Sequence, residues 1–211
     1  MVPRVYLITD RKATGGRSLC NVVAGALQGA GQEGSQVAVQ LREKDLSARD
    51  LAELARELRT VTSAAGAALF INDRVDVALA VNADGVHLPA RALSVRDVRA
   101  LAPDLCIAVS THDRTEVELA AEAGADFVVF GPVFDTPSKR GYGPAKGLQA
   151  LAQACGCSIP VIALGGIDNG NAENCIRMGA YGIAVIRSVI AADDAAMALA
   201  RLLAICGKSA T

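Results

Sequence analysis

Two cations and an amide stand at alternate positions after one of the short apolar segments of the chain. Gln40, Arg42 and Lys44 have this spacing, and side chains that alternate along a strand should face one side. An arginine fork and a lysine charge bind phosphate oxygens, and the amide adds another donor. A second interpretation also fits, in which Arg42 and Lys44 form surface ion pairs with Glu43 and Asp45. The first interpretation predicts an anion site at this strand end.

Further polar residues follow the ends of other strand-like segments. Ordinary structural roles fit some of them: Asp73 could cap a helix, residues 136–139 could form a solvated loop, and Gly165-Gly166 could be a tight turn. Their recurrence just past one strand end after another favours a single rim that binds polyanions. This set comprises Asn72, Asp73, Ser110, Thr136, Ser138, Lys139, Gly166 and Ser188.

The chemistry of phosphate esters matches such a rim. A diphosphate needs arginine forks, lysine charges, hydroxyl and backbone donors, and usually a Mg²⁺ ion held by a carboxylate. A single phosphate suits glycine-rich turns of the kind that follow the last two strands of a barrel. Two separated anion sites therefore predict two phosphorylated small molecules as reactants. The histidines carry less weight: His87 lies within a strand-like segment, and His112 could simply begin a helix.

Short Val- and Ile-rich segments alternate with Ala- and Leu-rich helical stretches along the whole chain. About eight such units close a barrel, so we predict an α/β fold with a single (β/α)8 TIM barrel over residues 1–211. A doubly wound open sheet would need a glycine-rich fingerprint after the first strand, and residues 9–12 lack it. The predicted strands are Val5–Thr9, Val37–Leu41, Ala68–Ile71, Gly85–Leu88, Cys106–Ser110, Phe127–Phe130, Pro160–Leu164 and Gly182–Ile186.

Two helices have clear starts and apolar faces. Residues 51–61 carry an i, i+3, i+4, i+7 apolar stripe, and a capping-box-like start precedes them at residues 47–50. Residues 117–124 repeat the pattern after residues 113–116. Asn82, Gly124 and Gly179 precede short turns into strands, and each should end its helix in the left-handed conformation.

Composition excludes several classes of protein. The net charge is −1 and no basic run stands out, so nucleic acid is not the expected ligand. No apolar stretch is long enough to span a membrane, and the N-terminus lacks a signal-peptide profile, so we expect a cytoplasmic protein. Of six cysteines, Cys106, Cys175 and Cys206 lie in apolar segments and should be small core residues rather than disulfide or zinc ligands.

Taken together, these motifs resemble the superfamily of thiamine phosphate synthase and thiazole tautomerase. The resemblance covers almost the whole chain. It rests on Gln40-Leu41-Arg42-Glu43-Lys44-Asp45, Asn72-Asp73, Asp84-Gly85-Val86-His87-Leu88, Ser110, Gly131-Pro132, Thr136-Pro137-Ser138-Lys139 and Gly165-Gly166-Ile167. In the synthase, a hydroxymethylpyrimidine diphosphate loses pyrophosphate, and the ring nitrogen of a thiazole phosphate captures the pyrimidine cation.

The resemblance implies a role for each motif residue. The catalytic set would be Arg42, Lys44, Ser110 and Lys139, with Asp73 as the Mg²⁺ ligand. The diphosphate would be held by Gln40, Arg42, Lys44 and Lys139, with Asn72 beside it, and Ser110 would face the pyrimidine. The thiazole phosphate would bind to Thr136, Ser138, the backbone near Gly166, and the end of the last strand at Ser188.

Two positions depart from the synthase pattern, and a third departs from the tautomerase pattern. Ala92 stands where many synthases have a second metal-binding Asp, and Arg187 stands where Ser is common. Against the tautomerase, Pro132 stands where that enzyme has its catalytic His. The alternatives are therefore a thiazole tautomerase-like enzyme, or a catalytically weak paralogue that binds thiamine precursors in a regulatory role. A homo-oligomer is compatible with the sequence.

Overall fold

Eight parallel strands form a closed barrel in which each strand pairs with the next and the eighth pairs with the first. The computed structural model describes residues 1–136 and 144–207. The predicted TIM barrel is confirmed, and every predicted strand agrees with the observed one to within one residue at each end. The strands are β1 (Val5–Ile8), β2 (Val37–Leu41), β3 (Ala68–Asn72), β4 (Gly85–Leu88), β5 (Cys106–Thr111), β6 (Phe127–Phe130), β7 (Val161–Leu164) and β8 (Gly182–Val185).

Helices alternate with the strands and cover the outside of the barrel. Short 3₁₀ turns, Arg11–Ala13 and Gly31–Gln36, flank the first of them. No helix of the described chain is long and apolar enough to cross a membrane. The helices are α1 (Leu19–Gln28), α2 (Ala48–Ala64), α3 (Val75–Ala80), α4 (Val95–Leu101), α5 (Arg114–Glu122), α6 (Gly147–Cys155), α7 (Ala172–Arg177), α8 (Arg187–Ile190) and α9 (Ala195–Gly207).

Both predicted helix starts are capped by side chains. Ser47 Oγ accepts a hydrogen bond from the backbone N–H of Asp50 at 3.2 Å, and Asp113 accepts one from Glu116 at 2.9 Å. Such caps satisfy N–H groups that have no partner inside the helix, and each stabilises by about 1 kcal/mol. The predicted stripe of α2 packs against the barrel, because its members at positions 51, 55 and 58 are buried.

The turns from helix to strand have the predicted backbone conformation. Asn82, Gly124 and Gly179 have φ angles of 50°, 90° and 95°, in the left-handed region. Beside two of these turns, an aspartate at the N-terminal rim of the barrel forms a hydrogen bond and an ion pair. Asp84 accepts the backbone N–H of Leu69 at 2.7 Å and pairs with Arg59. Asp126 accepts the N–H of Ile107 at 2.7 Å and pairs with Arg99. Each aspartate thereby ties its own strand to the preceding strand and to an earlier helix.

Apolar residues fill two layers that alternate along the strands. One layer lies between strands and helices, and the other lies inside the barrel. Three of the chain's few aromatic rings, those of Tyr6, Phe70 and Phe127, meet inside the barrel at edge-on angles with centroids 5.5–5.7 Å apart. Cys175 and Cys206 are fully buried core residues, as predicted. Cys106 is only partly buried, because it begins β5 at the rim.

Candidate active site at the C-terminal mouth of the barrel

The end of β2 places an amide inside the mouth. The side chain of Gln40 is almost fully buried, and its Nε2 donates to Oδ1 of Asn72 on the neighbouring β3 at 3.3 Å. Its Oε1 is buried as well and has no hydrogen-bond partner among the described residues. A buried oxygen without a donor is costly, so a bound ligand or water would stabilise it. This contact brings the two residues together at one rim, and their roles in binding stay predictions.

Glu43 and Asp45 alternate in the sequence with Arg42 and Lys44, the two β2 cations, but contact residues that follow β1 instead. Glu43 is buried and accepts hydrogen bonds from Thr9 Oγ1 at 2.8 Å, and from the backbone N–H and guanidinium of Arg11, each at 3.0 Å. Asp45 pairs with Arg11 at 2.6 Å and with Lys12 at 2.8 Å. Hydrogen bonds from Arg11 and Lys12 hold the pKa of Asp45 well below its usual range. The interpretation of Glu43 and Asp45 as partners of the β2 cations is therefore wrong.

Arg42 and Lys44 consequently form no ion pair within residues 1–136 and 144–207. Partial burial and the positive charge of Arg42 lower the pKa of Lys44, and the carboxylate of Asp73 acts in the opposite direction. These three charged groups therefore lie close enough to influence one another. Two cations that repel each other across a rim form a site whose energy falls when an anion binds.

Asp73 stands at the end of β3 in an uncommon backbone conformation. Its φ angle is 68°, and its backbone N–H donates to the carbonyl of His87 on β4 at 2.8 Å. Its side chain is exposed, and α3 begins two residues later without a side-chain cap. The alternative in which Asp73 caps this helix is wrong. The conformation turns the chain sharply at the rim, and strain of this kind often marks functional positions.

Strands β4 and β5 contribute a histidine and a serine that contact each other. Nε2 of His87 lies 2.7 Å from Oγ of Ser110, and the imidazole is buried. The sequence interpretation of His87 as a buried rim residue is confirmed. His112 instead contacts Glu116 through both its backbone N–H and its Nδ1, so it belongs to the start of α5.

The loop after β6 packs against the glycine turn after β7. Val133 donates its N–H to the carbonyl of Leu164 at 2.8 Å, and Phe134 donates to Gly165 at 3.0 Å. Gly166 has a φ of 64°, and a Cβ there would lie 2.7 Å from the carbonyl oxygen of Asp135. The close approach of the two loops thus requires glycine, which confirms the tight turn. Whether the same backbone also binds an anion stays a prediction.

Of the remaining predicted site residues, the structure describes Thr136 and Ser188 but not Ser138 and Lys139. Thr136 is half-buried at the end of the described β6 loop, whereas Ser138 and Lys139 lie outside the described residues. Ser188 lies in α8 after β8, and its Oγ is buried without a partner in the described chain. All the described candidates lie at or just after the C-terminal ends of strands, so they share one rim of the barrel. Their roles in binding and catalysis stay predictions.

Sequence reasoning missed the contribution of the first strand. In the sequence, residues 9–12 serve only to exclude a dinucleotide fingerprint, whereas in the structure Thr9 and Arg11 hold the end of β2 through hydrogen bonds to Glu43. Thr9 Oγ1 also accepts the backbone N–H of Arg42 at 3.0 Å. Glu43 was the available signal. Alternation along β2 places its side chain on the face opposite to Gln40, Arg42 and Lys44, and a carboxylate buried on that face needs hydrogen-bond donors.

Comparison with known proteins identifies the family. A family model described as thiamine monophosphate synthase matches residues 5–189 of the chain. The chain belongs to this family. Its relatives in the thiamine monophosphate synthase family include the thiamine-phosphate synthase of Roseiflexus sp. (strain RS-1), which is 45% identical over 192 residues, covering 90% of this chain and 79% of that protein. The thiamine-phosphate synthase of Chloroflexus aurantiacus is 43% identical over 203 residues, covering 96% and 92%.

Solved structures agree with this assignment. Thiamine phosphate pyrophosphorylase from Pyrococcus furiosus is similar with a TM-score of 0.87 and 34% identity, covering 99% of this chain and 97% of that one. A structure described as native KDPGal, with 18% identity and a TM-score of 0.68, shares the fold alone.

Position 92, where the sequence resemblance implies a second metal ligand in many synthases, is partly buried against apolar residues in this chain. Ala92 ends a turn in which its N–H donates to the carbonyl of Pro89 at 2.9 Å. Its methyl group packs against the apolar layer between strands and helices. A carboxylate at this position would therefore meet carbon atoms rather than the polar rim.

Proposed function

We propose that the protein is a transferase that joins a hydroxymethylpyrimidine diphosphate to a thiazole phosphate, giving thiamine phosphate and pyrophosphate. The observation that carries this proposal is the pair of cations, Arg42 and Lys44, that form no ion pair with any described residue at the mouth of a barrel of this family. Relatives named thiamine-phosphate synthase at 43% and 45% identity over most of the chain support it.

In this proposal, the β2 cations bind the diphosphate and stabilise its departure. Breaking the bond from the pyrimidine methylene carbon to oxygen leaves the electron pair on pyrophosphate, so negative charge grows at the bridging oxygen. Arg42 and Lys44 lie close enough to Asp73 to interact with it, and both would gain attraction as this charge develops. Lys139 would add a third cation. The thiazole nitrogen then forms the new carbon–nitrogen bond with its lone pair.

The interior polar groups would bind the pyrimidine. Gln40 offers a buried carbonyl oxygen that needs a donor, and an exocyclic amine on the pyrimidine would supply one. Ser110 would present its hydroxyl to the same ring. Thr136, Ser138, the backbone at Gly166 and the hydroxyl of Ser188 would hold the thiazole phosphate. Positioning two reactants in line is itself a large part of the rate enhancement.

We propose Mg²⁺ as the metal, held by Asp73. No group of three or more His, Cys, Asp or Glu side chains that could hold a metal occurs in the described part of the chain. Mg²⁺ commonly uses one or two carboxylates together with substrate phosphates and waters, so an exposed carboxylate beside two phosphate-binding cations fits it. Bound there, the ion would neutralise charge on the diphosphate. Asp73 would orient it through a carboxylate oxygen.

We also propose small phosphorylated molecules as the partners and the cytoplasm as the location. Phosphate and diphosphate esters are charged and do not cross membranes unaided, so they are consumed where they are made. A net charge of −1 without a basic run gives no reason to expect nucleic acid. A homo-oligomer is compatible with this proposal, and sedimentation of the purified chain measures it.

The deciding experiment supplies the purified full chain with both precursors and Mg²⁺ and measures the amounts of thiamine phosphate and pyrophosphate formed. We expect the two products in equal amounts. Reactions that omit one precursor provide the controls. Thiazole isomerisation without coupling would contradict the proposal in favour of a tautomerase-like enzyme. Tight binding of both precursors without turnover would contradict it in favour of a regulatory paralogue.

A further inference from the structure

The hydroxyl of Tyr6 has a single acceptor within the described chain. The side chain is completely buried, and its ring packs edge-on against Phe70 and Phe127. Its oxygen lies 3.4 Å from Nδ1 of His87, whose ring is inclined to the tyrosine ring by only 17°. Burial raises the pKa of Tyr6 well above its usual value, so the hydroxyl keeps its proton at neutral pH.

The direction of this hydrogen bond follows from the surroundings of the tyrosine. If Nδ1 of His87 carried the proton and donated to Tyr6, the phenolic proton would have no acceptor among the described residues. A buried donor without an acceptor is unfavourable. If Tyr6 donates to Nδ1 instead, both groups are satisfied.

The other imidazole nitrogen must then carry the ring proton. A neutral histidine that accepts at Nδ1 is protonated at Nε2. Nε2 lies 2.7 Å from Oγ of Ser110, so it donates to that oxygen. The hydroxyl proton of Ser110 is thereby free for another acceptor, and the part of the chain that the structure describes offers none beyond His87.

We propose that Tyr6 fixes His87 in the Nε2-protonated form and thereby directs the hydroxyl proton of Ser110 into the mouth of the barrel. There Ser110 donates to an unprotonated ring nitrogen of the bound pyrimidine. The identity of that acceptor rests on the proposed function, whereas the proton arrangement of the three side chains does not. Tyr6 and His87 are positioning residues, since they act through Ser110.

Nitrogen-15 NMR of histidine-labelled protein tests the arrangement without substrate. The chain has two histidines, and the His112→Gln protein assigns their signals. At a pH where both rings are neutral, we expect the His87 spectrum to show protonated Nε2 and unprotonated Nδ1. Tyr6→Phe keeps the ring packing but removes the donor, so both tautomers should become populated. A wild-type ring protonated at Nδ1, or an unchanged tautomer in Tyr6→Phe, would overturn the proposal.

A pair of variants at position 87 tests the consequence for coupling. The amide of His87→Gln can still donate to Ser110, whereas His87→Leu cannot. We expect kcat of the Gln variant to exceed that of the Leu variant about tenfold, the effect of one hydrogen bond, with equal KM for the thiazole phosphate. Equal kcat in two folded variants would overturn the role of His87. If the tautomer is confirmed but the wild type forms no thiamine phosphate, the proposed function fails and the proton arrangement stands.

Discussion

Replacing Glu43 by Gln keeps the size of the side chain but removes a buried charge on which three hydrogen bonds converge. The carboxylate accepts from Thr9 and twice from Arg11. Hydrogen bonds to charged groups contribute about 1.5–3 kcal/mol each. The amide oxygen can keep one or two of them, but the new NH₂ group would face a donor. We therefore expect the free energy of unfolding to fall by about 3 kcal/mol.

Urea unfolding followed by circular dichroism measures this loss. With a slope of about 2–3 kcal/mol per molar urea, the midpoint should fall by roughly 1 M. Glu53→Gln is the matched control, because Glu53 is exposed on α2 and its replacement should leave the midpoint unchanged. If both variants unfolded at the same urea concentration as the wild type, the hydrogen bonds of Glu43 would contribute nothing and our account of the β1–β2 junction would be refuted.

Three further outcomes are expected. Arg42→Lys should lower kcat by roughly tenfold or more, because a point charge cannot replace a two-pronged fork. The exposed Arg56→Lys should match the wild type, and equal coupling rates in both variants would contradict the diphosphate assignment. Ala92→Asp should leave the Mg²⁺ concentration for half-maximal coupling unchanged and lower the melting temperature, since the new carboxylate meets the apolar layer; a lower Mg²⁺ midpoint would show that it reaches the metal. Gly166→Ala should reduce stability by about 1–3 kcal/mol, because the backbone is left-handed there and the added Cβ meets the carbonyl of Asp135; unchanged thermal unfolding would show that the turn relaxes freely.

The barrel was predictable because its signals are local. Runs such as Val37–Leu41 and Phe127–Phe130 are short, apolar and bounded by turns, and helix starts such as Ser47 carry their caps within three residues. Eight repeats of such a unit leave few other architectures. The residues of the candidate site could be predicted from the same signals, because the C-terminal ends of all strands in a parallel barrel lie at one rim.

Contacts between distant segments were not predictable from spacing. The bond between Thr9 and Glu43 depends on the register of β1 against β2, in which Ile8 lies opposite Gln40. Likewise, nothing near Tyr6 in the sequence indicates that its hydroxyl reaches His87 on the other side of the barrel interior. Pairing of this kind depends on barrel closure and side-chain length, which hydrophobic periodicity does not encode.

Asp84 and Asp126 at the N-terminal rim have a consequence for folding during translation. A barrel cannot close until its last strand reaches the first, so an emerging chain exposes unpaired strand edges that favour aggregation. The contacts of Asp84 lie within residues 59–84, and those of Asp126 lie within residues 99–126. Each set can form as soon as its own short stretch has left the ribosome. These contacts would thus fix the register of β4 against β3 and of β6 against β5 while the barrel is still an open, incomplete sheet.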